Sequence, residues 1–270
     1  MALFTKNYMQ AGTGQRLTGP AHFSELLERD LKRFLFVNLL TVLGFLPLAL
    51  GILTAILSSS ILILIPACII GGAAAGPALS CMHDTIFRSL RDAPGKCMDN
   101  YRHAFQQNWR QSVLPGILLG LLLGFYSFML LMIWRASKSP GPGTYAVYLF
   151  GLVILTMFFS LYWPLIVLFE QSSKERFCSC LLFCARFLWK TLGCALLQIL
   201  YWGILLLFLP WSVLLLPFTG IWFILYAADF LLYDTMNEVF SIEKQIAEAF
   251  PEQAAFYEDD ETWLKRKQQK

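Results

Sequence analysis

Phe34–Leu57 reads FLFVNLLTVLGFLPLALGILTAIL, a run without one Asp, Glu, Lys or Arg and with a single amide, Asn38. A bilayer's hydrocarbon core is about 30 Å thick and takes roughly 20 apolar residues of helix to cross. Backbone groups in lipid have no water to bond, so a run of this kind crosses as a helix, whose bonds close within the segment. The run is also too long for the core of a signal peptide and follows 33 more polar residues, so it is expected to remain as an uncleaved span.

Outward from it, five more stretches have the same character: Ile61–Cys81, Ser112–Trp134, Tyr145–Phe169, Thr191–Leu209 and Trp211–Tyr233. The last two are separated only by Pro210. Proline has no N–H and restricts the residue before it, so Leu209-Pro210-Trp211 is expected to be a tight reversal. The whole chain agrees with this reading. It has 57% hydrophobic and 14% charged residues and a mean hydropathy of +0.58, whereas soluble domains run near 45–50% and about 25%. That excludes an ordinary soluble enzyme and a disordered chain, and a net charge of +3 does not suit a nucleic-acid binder. The expected fold is all-α: a polytopic bundle of six transmembrane helices whose main partner is the lipid bilayer.

Loop charges give the orientation, because Lys and Arg are retained on the cytoplasmic side of short loops. With residues 1–33 inside, only Arg135 and Lys138 of the 21 basic residues fall in outer loops. Both termini, including the 234–270 tail, are then cytoplasmic. The outer loops shrink to Ser58-Ser59-Ser60, the Ser139–Gly143 turn and the Pro210 reversal, leaving no external receptor domain. Trp134, Tyr145, Trp189, Trp211 and Tyr233 sit at span ends, as interfacial aromatics do, whereas Trp202 and Trp222 are mid-span.

Two inner loops are patterned as amphipathic interfacial helices. After a break at Pro94-Gly95, Tyr101, Phe105 and Trp109 recur at every fourth position, with Arg102 and Arg110 turned away. Lys174–Lys190 places Phe177, Leu181, Cys184 and Leu188 on one face and bears Arg186 elsewhere. Either helix could lie on its own bundle, basic side toward anionic headgroups, or dock a membrane transport-system protein. A rough echo between Trp109–Ser112 and Trp189–Leu192 raises a repeat of spans two and three as spans four and five. In the tail, Ile242, Ile246, Ala249 and Phe250 suggest a short helix, followed by an acidic cluster at 258–261 and a basic end.

The segment Gly76-Pro77-Ala78-Leu79-Ser80, then Phe87-Arg88, then Ala104-Phe105-Gln106-Gln107-Asn108-Trp109-Arg110-Gln111, resembles the YesL family (DUF624) of bacterial membrane proteins. Phe36–Leu40 and Pro47 in the first span fit as well, and the likeness covers about residues 30 to 125. Gly95-Lys96-Cys97-Met98-Asp99 departs from it, where relatives carry acidic and aromatic residues. The resemblance implies no catalytic residues and no cofactor, and suggests a role accessory to carbohydrate uptake.

Several residues could carry chemistry. Asp229 is the acid inside a span, about one turn from its inner end; such carboxylates often mark solute paths, and an Arg of the N-terminal segment is an expected partner. Asn38 and Gln198 are expected to bond between helices. Gly72 and Gly76 have the spacing of a close-packing seam, with Pro77 bending the span's exit; a flexible gate is the alternative. Pro47, Pro164 and Pro217 can kink their helices, and Gly220 follows within a turn of the last. His83 and Asp84 leave the membrane side by side but point about 100° apart on a helix, so interfacial capping is expected of them. Cys178, Cys180 and Cys184 are poorly spaced for zinc and are expected to be buried reduced thiols. No motif of a nucleophilic hydrolase, a metalloprotease or a phosphate-binding loop occurs, so a non-enzymatic protein is expected.

Overall fold

The computed structural model describes residues 19–91, 96–135, 141–242 and 244–245, and they are helical almost throughout. The helices are α1 (Gly19–Ser58), α2 (Ile61–Leu90), α3 (Cys97–Arg135), α4 (Pro142–Leu168), α5 (Ser173–Arg186), α6 (Leu188–Leu207), α7 (Leu209–Thr219) and α8 (Ile221–Phe240). Five of them are long and apolar enough to cross a membrane, and a sixth span results when the bent pair α7 and α8 is counted as one. The molecule is a multi-pass membrane helix bundle. The Pro94-Gly95 break, Ser139 and Pro140 of the Ser139–Gly143 turn, the residues before Gly19 and the tail from 246 onward lie outside the described residues.

α1, α2 and α3, at 30 residues or more, are the longest helices and exceed what a bilayer requires. At 1.5 Å per residue, the 40 residues of α1 extend about 60 Å and the 39 of α3 nearly as far. The surplus lies at one end of the bundle, where the N-terminal parts of α1 and α3 flank the C-terminal part of α2. Leu26, Phe34, Met82, Ile86, Phe87 and Leu90 form the buried core there, with Trp222, Tyr226 and Tyr233 of α8 behind them. This projection corrects one expectation. The amphipathic segment after Pro94-Gly95 is not a separate interfacial helix; it runs into the third span as one helix, with no proline between 97 and 114 to interrupt it.

Its buried face differs from the expected one too. Ala104, Asn108, Ser112, Gly116, Gly120 and Gly124 are all buried, at every fourth position, while Phe105 and Trp109 are each 43% exposed and Tyr101 is half-buried. Small residues win this face because α2 presents its own. A Cβ built on Gly72 would stand 2.5 Å from the Gly116 carbonyl oxygen, and one on Gly76 would collide with the Ser112 carbonyl. The seam expected at Gly72 and Gly76 is therefore present, with α3 as its partner. Across α2, Gly71 lies on the backbone of Leu48, and Gly44 and Gly51 of α1 receive Ala78 and Ala67. Pro77 is buried within a continuous α2.

The second half is built differently. α5 is a separate helix, as expected, but Phe187 divides it from α6 and its inward residues are Arg176, Cys180 and Phe183. Phe177, Leu181 and Leu188 are 48–50% exposed and so are not the buried face, although the Phe177 ring meets Phe158 of α4 at 5.4 Å. The layouts of α2–α3 and α4–α5–α6 echo each other only loosely: α3 is continuous where α5 and α6 are broken, and the glycine seam has no counterpart. α6 and α7–α8 form an antiparallel hairpin, with Ser212 Oγ donating to Leu205 O, Cys194 Sγ to Ala228 O and Lys190 Nζ to Thr235 Oγ1. The reversal is at Phe208, just before the expected Leu209-Pro210-Trp211, and Leu209 and Pro210 already begin α7. Proline fits a helix's first turn, where its missing N–H is no loss.

The last span is not a single helix. It bends by 53° at Gly220. Pro47, Pro66, Pro115 and Pro164 stay inside continuous helices, so proline alone does not break this fold. α8 ends at Ser241, in a left-handed conformation, and Ile242 is buried behind it.

Candidate functional site

Inside the end of the bundle that carries the projection lies a series of buried polar groups. His83 of α2 and Asp229 of α8 are each 1% exposed, and Nδ1 of the ring is 2.7 Å from the carboxylate Oδ2. The expected Arg partner of Asp229 is not what the fold supplies. His83, 146 residues away, takes that place because α2 and α8 pack side by side. Capping at the interface, the role expected of His83, is likewise replaced by this interhelical contact. Asp84, pointing elsewhere as the helix geometry requires, accepts from Arg88 Nε at 2.7 Å. One nitrogen of the pair, His83 Nε2, and one oxygen, Asp229 Oδ1, are buried without a hydrogen-bond partner. The pair thus has one bond satisfied and one valence open on each side, an arrangement able to accept or release a proton.

A second group lies nearer the projection. Asp30 of α1, buried, accepts from Arg29 Nε and Nη2 and from Ser89 Oγ of α2, at 2.6–2.9 Å. Arg29 Nη2 also reaches Ser89 O at 2.9 Å, and Tyr226 Oη donates to Phe23 O at 2.8 Å. These bonds tie α1 to α2 and to α8 where aromatic rings also meet, with Phe34 stacked on Trp222 at 5.4 Å and tilted to Tyr226 at 5.1 Å.

Asn38 is the third. Its Nδ2 donates to the carbonyls of Leu216 and Pro217 at 3.0 and 2.8 Å, and its Oδ1 accepts from the N–H groups of Ile221 and Trp222 at 3.1 and 3.2 Å. Three of these backbone groups, Pro217 O and the N–H groups of Ile221 and Trp222, are freed by the break at Gly220, whereas Leu216 O also accepts from the Gly220 N–H at 3.0 Å. One buried amide thus serves both sides of a broken span, which lipid cannot do. The expectation of an interhelical bond holds and is exceeded. Gln198 also bonds between helices, its Nε2 donating to Ser160 Oγ of α4 at 2.6 Å.

The three cysteines of α5 stand apart from these groups. All seven in the chain are free; Cys180 is buried, Cys184 half-buried and Cys178 exposed, the last against expectation. Burial pushes the Cys184 thiol up to about 11 and raises Cys180 further. Among the described residues no group of three or more His, Cys, Asp or Glu could hold a metal ion. On the projection, Arg102, Phe105, Trp109 and Arg110 are exposed, with the Arg110 guanidinium 5.4 Å from the Trp109 ring. Arg186 is exposed at the end of α5. No family model, curated protein or solved structure matches the chain.

Proposed function

We propose that the protein is a non-catalytic component of a bacterial cell membrane, its termini and projection cytoplasmic, that works through that projection on a protein of a carbohydrate-uptake system. The observation supporting this is the continuity of α3. Arg102, Phe105 and Trp109 stand on a helix clamped to α2 along its length, so the exposed aromatics and bases are held in place and need no ordering when they bind. Enrichment in Trp, Phe and Arg is what a binding surface would use. The YesL resemblance supports the uptake system as the setting, and the near-absence of basic residues from the outer loops supports the orientation. A photo-crosslinker at Phe105 in native membranes is expected to trap one discrete protein; recovery of the uncrosslinked chain alone at saturating exposure would refute the proposal.

A second reading, a transporter of small solutes that uses the bent spans, is favoured by the half-satisfied His83–Asp229 pair beside the broken helix. Purified protein in liposomes would then move protons or a sugar, and Asp229→Asn would change the rate. Equal flux from the variant would remove Asp229 from any such path.

A further inference from the structure

Between α3, α4 and the start of α5 lies a cavity of about 370 Å³ that belongs to none of the groups described above. Arg176 lines it. Its guanidinium is 1% exposed, yet no carboxylate of the described residues pairs with it. Nη2 donates to Gln111 Oε1 at 2.6 Å and to Gln171 O at 3.0 Å, the Tyr162 ring lies 5.8 Å away, and Nε is buried without a partner. A buried cation left without a counter-charge is strongly disfavoured, so this one calls for an anion.

The surroundings supply further positive potential. α5, 14 residues long, starts at the cavity with Ser172 as its cap. The capping box occupies the N–H groups of Ser172 and Glu175, but Ser173 and Lys174 have no acceptor within the helix. Their N–H groups and the helix dipole favour a negative group there. Arg110 lines the opposite wall. Gln171 Oε1, buried and unpartnered, offers an acceptor for a hydroxyl. Beside the polar part, Leu114 and Leu118, 61% and 50% exposed, continue the wall along the third span. Gln111 and Gln171 stand just outside the apolar stretches that begin at Ser112 and end at Phe169, which is headgroup level.

We propose that this cavity binds a phosphate group, held by Arg176, Arg110 and the N-terminus of α5. The phosphate belongs either to an anionic lipid whose chain follows Leu114 and Leu118 or to a soluble phosphate compound. The full chain in non-ionic detergent is tested with phosphatidylglycerol and phosphatidylcholine by native mass spectrometry, and with inorganic phosphate by calorimetry. Arg176→Gln removes the central charge. Arg110→Gln and Ser173→Pro remove an exposed charge and one N–H, and the fold tolerates both, since proline suits a first helical position and Ser172, at φ −65° and ψ 153°, suits a residue before proline. Each variant is expected to weaken binding about tenfold, the size of a lost charge-assisted bond, while Arg186→Gln at the far end of α5 binds as wild type. Retention of phosphatidylglycerol over phosphatidylcholine with no response to inorganic phosphate assigns the site to lipid; saturable binding of inorganic phosphate assigns it to a soluble ligand; either supports the site. Binding of every probe unchanged in Arg110→Gln and Ser173→Pro, or weakened equally in Arg186→Gln, would overturn it.

Discussion

His83 Nδ1 and Asp229 Oδ2 meet at 2.7 Å between two helices, with both side chains 1% exposed. The contact joins the C-terminal part of α2 to the last span, and its worth can be measured by exchanging Asp229 for groups of graded likeness. Asp229→Asn retains a partner for the ring and is expected to change stability by less than about 1 kcal/mol, the usual scale of interhelical bonds in membranes. Asp229→Leu leaves both ring nitrogens buried and unbonded, and is expected to cost about 1–3 kcal/mol. Unfolding equilibria in mixed micelles report both; equal values would mean that the pair does not stabilise the bundle.

Asn38→Leu removes four hydrogen bonds at once and leaves the Pro217 carbonyl and the N–H groups of Ile221 and Trp222 without partners, while Leu216 O keeps its bond from the Gly220 N–H. At about 0.6 kcal/mol for an average interhelical bond in a membrane protein, the expected loss is about 2 kcal/mol or more. The same assay checks it, and hydrogen exchange at Ile221 and Trp222 should rise in the variant while exchange in α2 does not.

The glycines divide by what surrounds them. Gly116→Leu drives a side chain into the backbone of Gly72 and Gly76 and is expected to abolish the folded state, or to cost at least about 3 kcal/mol by overpacking. Gly193→Ala and Gly203→Ala meet open space and are expected to be neutral, or to stabilise by up to about 1 kcal/mol through helix propensity. Thermal stability of the three variants tests this directly, and equal effects would contradict the seam.

Among the three cysteines of α5, Cys178 is exposed, whereas burial raises the thiols of Cys180 and Cys184, the latter to about 11. Maleimide is expected to modify Cys178 first at neutral pH. Because the raised value keeps Cys184 protonated until the pH approaches 11, its rate should climb with pH well beyond neutrality. Peptide mapping after a timed reaction decides it; early modification of Cys180 would refute the burial assigned to it.

Much of this fold was legible in hydropathy. Uncharged runs must be helices in lipid, so the spans were readable one by one, and Pro217 with Gly220 marked where the last could break. The amide of Asn38 was recognisable as a bonding group, but not its four partners, which lie on a span far along the chain. His83 and Asp229 each stood out alone; nothing local joins residues 146 apart, and only the packing of α2 on α8 does so. The start of α3 misled because polarity changes at Ser112 while helix propensity does not, so a change of solvent resembled a change of element. Its aromatics misled as well. Phe105 and Trp109 have the spacing of an apolar face, whereas Ala104, Asn108 and Ser112 continue the glycine line that α2 requires. Nothing local marks Arg176 as buried, since a basic residue in an inner loop is ordinarily solvated.

The Asn38 contact also bears on how the chain is made. Its two sides are separated by 178 to 184 residues, so the first span leaves the ribosome with an amide that has no lasting partner until the last span is synthesised. Until then α1 must shelter that amide against the translocon or a neighbouring helix, and α7–α8 cannot enter lipid in its bent form without it. A chain stopped anywhere short of Trp222 therefore lacks more than its final crossing: its opening helix is left without the lasting partner of its buried amide as well.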